Sequence, residues 1–385
     1  MNKNQPDTHL NGVLKQLSTP WIIASERAYR VNKLDLKKGF ILDLACGSGI
    51  QLAAYSSQLN APCIGIEIDL KRAEIATNTL KSILKKDLFE KSRIIVGDCL
   101  QKSEIILDEN IRFSLIHLDP ARPTDVQSHT ISEMMPPPIE AIETWKDLLI
   151  ENEGGIILDL SPRLSKAQCD ELKNNLERIL PNFEQTWEWS SQGRGRVDRL
   201  SVWLGAAATK NMKSRYVRNY PKEIEHSTII ESENLPWEHE MIAPQKTDVK
   251  VDDFLSIIDP ALIASGLENA WLELYNHSGQ WIRKEGRRPL FVHPNKLVIN
   301  DENRGLVFES GIIRAIIPHD INDGVEPLIE LSKKLELMKL TLRLKISPEL
   351  QPVFQSRIDR SLIDTGGVGF VVKLPNNTLA ICVKI

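Results

Sequence analysis

Between residues 40 and 181, short apolar runs of strand length alternate with longer segments in which apolar side chains recur at helical spacing. FILD, PCIGIEID, SRIIVGD, FSLIHLD and GGIILDL read as strands, and Leu70 to Lys86 predicts a helix with lysines on its outer face. Three consecutive prolines lead into another helix after MMPPP, and SKAQCDELKNNLERIL predicts one more. Such alternation implies a parallel sheet with right-handed crossovers. NFEQTWEWSSQ and GRVDRLSVWLG then read as two strands around a Gly-Arg turn, a closing antiparallel hairpin.

The regular pattern ends after Gly205. Residues 206–250 are polar and without sustained period, and they are expected to be a linker or a loosely packed excursion. From Val251 a second region opens with one apolar helix, DPALIASGLENAWLELY. Beyond it lie β-type segments: PLFVHPNKLVI, GLVFESGIIRAIIP, LMKLTLRLKIS, and a terminal hairpin of GFVVKLP and TLAICVKI across Asn376 and Asn377. The expected organisation is a lead-in helix within 1–35 (LSTPWIIASERAYRVNKL), an α/β domain at 36–205, the linker at 206–250, and an α+β region at 251–385.

The stretch FILDLACGSG carries the clearest chemistry. An apolar strand ending in an acid runs into a turn with glycines at 47 and 49, where backbone N–H groups of a helix start can approach a ligand. The next strand, PCIGIEID, ends on acids suited to ribose hydroxyls in a doubly wound fold. Leu52 stands where a third glycine would complete GxGxxG, so this is no dinucleotide fingerprint, and the GxxxxGK[ST] of a P-loop is absent.

Further on, FSLIHLDPARP delivers Asp119, Pro120, Ala121 and Arg122 to the end of a strand, the side on which open α/β sheets bind ligands. Asp119 can accept a proton or hydrogen bond from a nucleophile. Arg122 presents a planar fork for phosphate or carboxylate, with a plain salt bridge as the alternative. Arg194, Arg196 and Arg199 gather in the hairpin, where solvated protection of a sheet edge competes with RNA contact. In the second region WIRKEGRRP sets Arg283, Lys284, Arg287 and Arg288 beside Trp281, and LKLTLRLKI alternates apolar and basic side chains.

ILDLACGSG resembles motif I of class I S-adenosylmethionine (SAM) methyltransferases. The set ILDLACGSG, GIEID, GDC, LDPARP, MMPPPIEAI, ILDLSPRL and WEWSSQGRGRVDRLSVWLG, with IIDPALIASGLENAWLEL further on, resembles the THUMP-like methyltransferase family over roughly residues 15 to 385. DPARP departs from the more usual DPARR, which removes a second arginine of that loop, and of the longer helical N-terminal region of many relatives only the lead-in helix is expected here. The resemblance implies a Rossmann-like sheet with helices on both faces, followed by a THUMP-like α+β region. It implies SAM as cofactor, held by Asp43, Cys46, Gly47, Gly49, Glu67, Asp98 and Asp119. Glu67 would hold the ribose, with Asp69 as fallback, and Asp98 would receive the adenine amino group, a role compatible with a helix N-cap. It implies catalysis at Asp119 and Arg122, with RNA (tRNA or rRNA) bound by Arg122, Arg283, Lys284, Arg287 and Arg288.

Composition narrows the classes further. A chain of 385 residues with 42% hydrophobic residues can bury more than one core. No run of 18 apolar residues and no N-terminal apolar segment is present, so a cytoplasmic protein without a membrane span is expected. Five scattered cysteines lack CxxC spacing and predict small buried hydrophobes, with no disulfide framework or zinc site. Residues 271–385 carry 16 Lys and Arg against 13 Asp and Glu, a net of +3, whereas the whole chain stands at −4. That asymmetry is mild. Pyrimidine C5 methylation is disfavoured because LDLSPRL holds no cysteine nucleophile, and an exocyclic-amine methylase would carry an aromatic where Ala121 and Arg122 stand. Direct displacement onto a ring nitrogen or another heteroatom fits best. The alternatives are a binding module that keeps the fold without catalysis, and methylation of a protein or small molecule.

Overall fold

The computed structural model describes residues 19–121, 130–193, 195–220, 223, 225–238 and 249–384. They fall into two compact units, one from Met1–Gln192 with Val197–His239 and the other from Gly193–Arg196 with Glu240–Ile385, each through its described residues.

The first unit begins with the lead-in helix α1 (Trp21–Asn32), then β1 (Phe40–Asp43), α2 (Ile50–Leu59), β2 (Cys63–Glu67), α3 (Leu70–Ile83), α4 (Lys86–Glu90) and β3 (Arg93–Val96). It continues through β4 (Phe113–Leu118), α5 (Pro138–Trp145), β5 (Gly155–Leu160), α6 (Lys166–Ile179), β6 (Gln185–Ser191), β7 (Arg199–Gly205), β8 (Ser214–Asn219) and β9 (Ser227–Ser232). All nine strands form one sheet in the order β3-β2-β1-β4-β5-β7-β6-β8-β9. β1 to β5 are parallel, and β7 lies antiparallel between β5 and β6, so the expected alternation and closing hairpin are both present.

β2, β4 and β5 are buried along their whole length, which is why they read as unbroken apolar runs. Helix starts follow local chemistry. Pro138 opens α5 at its first position, and Ser165 caps α6 in a reciprocal box with Gln168. α1 has little apolar stripe because its inner face is partly charged. Ala24, Ala28 and Val31 pack in the core while Arg27 and Arg30 form buried ion pairs with Asp159 and Glu188.

The stretch 206–250 differs from the expected linker. β8 pairs parallel with β6, and β9 antiparallel with β8, so both extend the sheet. Their apolar pattern is masked because β8 buries polar side chains with partners: Arg215 Nε donates to Glu188 at 2.8 Å, and the Ser214 hydroxyl donates to the Asn234 carbonyl at 2.6 Å.

The second unit contains β10 (Phe254–Ile258), α7 (Pro260–Ala264), α8 (Glu268–Leu274), β11 (Gln280–Arg283), β12 (Leu290–His293), β13 (Val307–Ile317), α9 (Glu326–Lys334), β14 (Leu337–Leu342), α10 (Leu350–Ser361), β15 (Gly367–Lys373) and β16 (Leu379–Val383). Its seven-stranded sheet runs β11-β12-β10-β13-β16-β15-β14, antiparallel except for the β14–β15 pair across α10. The terminal hairpin is β15–β16, as expected. The single apolar helix expected at DPALIASGLENAWLELY is two: Asp259 caps α7 by accepting from Ala261 N, and Gly266, at φ +68°, ends it before α8.

Candidate functional site

Strand order reverses between β1 and β4, and the crevice of an open α/β sheet lies beyond the carboxyl ends at that switch. A cavity of about 630 Å³ opens there, a size ordinary for small-molecule sites. Six of the seven residues expected to hold a cofactor line it: Asp43, Cys46, Gly47, Glu67, Asp98 and Asp119.

The glycine turn is built for close approach. Gly47 sits at φ +54° with no atom within 4 Å of the place a β-carbon would occupy. Gly49, which does not line the cavity, is the left-handed N-cap of α2 at φ +73°, and a β-carbon there would come within 3.0 Å of Ala76. Side chains would be strained at both positions. Glu67, 4% exposed, braces the turn from β2: Oε2 accepts from Gly47 N at 2.9 Å, and Oε1 accepts from Asp69 N at 3.0 Å. Arg72 reaches Glu67 Oε1 at 3.2 Å. The Asp69 side chain caps α3 by accepting from Arg72 N, so its carboxylate is already engaged.

Asp98 begins a turn rather than a helix, its Oδ1 accepting from Leu100 N at 2.9 Å. The following residue is pinned from α5, where Trp145 Nε1 donates to the Cys99 carbonyl at 2.7 Å. At the end of β4, Asp119 is about one-third exposed, and Ala121 exchanges two backbone hydrogen bonds with Met135. Arg122 and Arg194 lie outside the described residues.

A charge network that reading the sequence missed reaches the cavity wall through His117 and Arg199 and continues into the core. His117 Nδ1 lies 2.9 Å from Asp43 Oδ2, and its Nε2 lies 3.3 Å from Asp159 Oδ2. Arg27 grips Asp159 with both terminal nitrogens, at 2.6 and 2.5 Å. Arg199, expected as a solvated edge residue or RNA contact, turns inward: its Nη1 donates to Asp159 and lies 3.4 Å from Asp119 Oδ2, while Nη2 donates to Thr19 Oγ1 at 3.1 Å. Burial alone would push the Asp159 carboxyl up, but Arg199 and Arg27 hold it well below the usual carboxylate range. For His117 burial disfavours the cation, yet Asp43 and Asp159 raise its pKa to about 9. The signal available in the sequence was an ionisable residue inside an apolar strand, His in FSLIHLD and Asp in IILDL, which demands a partner once buried.

All five cysteines are free and buried. Cys46 touches the cavity, but burial, then Asp43 and Glu67, raise its thiol pKa. Cys169 lies inside α6 with its thiol pushed up to about 12, so it offers no thiolate near neutrality. Among the described residues, no group of three or more His, Cys, Asp or Glu could hold a metal ion, and no helix is long and apolar enough to cross a membrane.

In the second unit the basic cluster is partly engaged. Arg283 donates to the carbonyls of Lys373 and Arg288, both at 3.0 Å, and Lys284 pairs with Glu268 at 2.7 Å. Arg287 is exposed and Arg288 half-buried. Burial, then Arg343 and Arg287, lower the pKa of Arg288, so these guanidiniums sense one another. Arg343 is tied to the buried Glu309 at 2.5 Å.

No protein-family model matches the sequence, and no curated protein matches it. Among solved structures, a candidate methyltransferase from Porphyromonas gingivalis W83 is similar over 96% of this chain and 82% of its own, at TM-score 0.63 and 16% identity. The plantazolicin methyltransferase BpumL, solved with SAH, is similar over 50% of this chain and 86% of its own, at TM-score 0.34 and 18% identity. An rRNA methylase from Streptococcus thermophilus covers 49% of this chain and 98% of its own, at TM-score 0.33 and 16% identity. The last two scores are too low to carry an argument. The first shows the fold: the chain has an α/β fold with a mixed sheet, similar to that structure.

Proposed function

We propose that the chain is a SAM-dependent methyltransferase acting on RNA, with transfer onto a base nitrogen or another heteroatom. The observation that carries this reading is the gathering of Asp43, Gly47, Glu67, Asp98 and Asp119 around one cavity at the switch point of the sheet. The residues suit SAM. The open space at Gly47 admits the backbone-close part of the donor, and the acids Glu67 and Asp98 suit ribose hydroxyls and an adenine amino group. Ile68, Cys99 and Leu100 line the same cavity and offer apolar surface for a flat ring. When bound, SAM supplies an electrophilic methyl group on a sulfonium.

The chain's own part is positioning and proton acceptance. Glu67 braces the glycine turn through Gly47 N, and Asp43 fixes its start by accepting from Ala45 N at 3.2 Å. Asp119, steadied by Arg199, presents a carboxylate to the acceptor's nucleophilic atom and can take its hydrogen bond or proton.

RNA as substrate rests on less. It is supported by the exposed Arg287 and half-buried Arg288 in the second unit, and by the motif resemblance to the THUMP-like family, in which Arg122, Arg283 and Lys284 would also contact substrate. Incubation with SAM carrying a labelled methyl group and total cellular RNA tests the proposal. Label is expected in RNA and lost with Asp119→Ala; label only in a protein extract overturns the RNA part, and none in either overturns catalysis.

A further inference from the structure

We propose that His117 is a fixed, buried imidazolium that positions Asp43 at the donor end of the cavity and, through Asp159 and Arg199, steadies Asp119 at the acceptor end. The geometry points to the double protonation. Both ring nitrogens face carboxylate oxygens, Nδ1 toward Asp43 Oδ2 and Nε2 toward Asp159 Oδ2. An ionised carboxylate oxygen only accepts hydrogen bonds, so each nitrogen must carry a hydrogen. Asp159 is not free to supply that hydrogen, since it already receives Arg27 and Arg199, and Asp43 receives Ala45 N through its other oxygen, a bond that an ionised carboxylate accepts best.

The groups facing the ring are Asp43 from β1, Asp159 from β5 and Tyr55 from α2, whose ring meets it edge-on at 5.5 Å. The Tyr55 phenol is held neutral by its burial. Arg27 from α1 and Arg199 from β7 act on the ring across Asp159. The two carboxylates outweigh the cost of burying the cation and hold it to about 9.

His117 reaches the cavity wall, but both of its ring nitrogens are directed at Asp43 and Asp159, so it acts through them as a positioning residue. Asp43 is pinned between it and Ala45 N, and Ala45 leads into the glycine turn, so the shape of the donor site depends on this proton. The link to donor binding rests on the cavity being a SAM site, whereas the protonation state does not.

Two measurements on the full chain separate these claims. The first is a long-range nitrogen–proton correlation spectrum of histidine-labelled protein, with His117 assigned by conventional resonance assignment. Both ring nitrogens are expected at protonated positions at pH 7.5 and to titrate above pH 8. One nitrogen at an unprotonated position at pH 7.5 overturns the proposal. The second is calorimetric binding of S-adenosylhomocysteine. His117→Asn and His117→Gln, checked for folding by circular dichroism, are expected to bind at least tenfold more weakly than the unsubstituted chain. Equal affinity in a folded variant overturns the positioning role. Absence of binding by the unsubstituted chain sinks the SAM reading and leaves the spectroscopic result standing.

Discussion

Glu67 spends one oxygen on Gly47 N and the other on Asp69 N and Arg72, so it shapes the loop as well as facing the cavity. Replacing it with Gln puts an amide donor against one of these N–H groups. A charge-assisted hydrogen bond contributes about 1.5–3 kcal/mol. Glu67→Gln should therefore weaken S-adenosylhomocysteine binding about 10- to 100-fold in calorimetry. Asp69→Asn keeps a capping side chain and should change the affinity less than about threefold. The ion pairs also set the pH response. His117, raised from 6.5 to about 9, contributes stability that is complete below pH 6.5 and lost as pH climbs through 9. Glu188, held at about 2 by Arg30 and Arg215 against its burial, contributes stability present above pH 4.5 and lost as pH falls toward 2. Thermal melting temperature should accordingly peak between about pH 5 and 6.5 and decline on both sides; a flat profile from pH 6 to 9.5 contradicts the histidine assignment.

Helix ends and edge strands show where local and tertiary information divide. The Ser165–Gln168 box is written in four consecutive residues and forms as written. Ser165→Ala should cost about 1 kcal/mol, readable as a lower urea midpoint for the first unit at unchanged slope. α1 was expected as the lead-in helix without a clear apolar stripe, whereas β8 and β9 were not legible. A helix whose inner face carries Arg27 and Arg30, or a strand that buries Ser214, Arg215 and Asn219, breaks the period that identifies amphipathic elements. Those side chains become interior only because Glu188, Asp159 and Asn234 wait for them from distant parts of the chain. The split of α7 from α8 was visible in Ser265-Gly266, yet the apolar spacing ran through it and suggested one helix.

For the molecule as a whole, the charge on the second unit decides whether it can meet a polyanion. Arg287 is exposed, while Arg283 and Lys284 are engaged with Lys373, Arg288 and Glu268. If this face meets phosphates, Arg287→Glu with Arg288→Glu should reduce RNA affinity by more than tenfold and flatten its salt dependence by about two phosphate contacts, measured by fluorescence anisotropy over a salt series. S-adenosylhomocysteine binding in the first unit should be unchanged. RNA affinity indifferent to both substitutions removes the second unit from substrate binding.

From its sequence alone, the chain determined the alternating strands and helices of the first unit, the glycine turn, and the acids that ring the cavity. These follow from short-range rules: burial on both faces produces continuous apolar strands, and a backbone that must turn sharply selects glycine. Asp43, Glu67, Asp98 and Asp119 were legible because each stands at a strand end, and strand ends of a parallel sheet converge. Only the tertiary structure decided that Arg199 points inward, that Asp69 is engaged as a cap, that 206–250 holds two strands, and that His117 and Asp159 join β1, β4, β5 and β7 into one charge network. The reason is physical: an ion pair is specified by two residues far apart in sequence, and neither reveals its partner until the fold removes both from water.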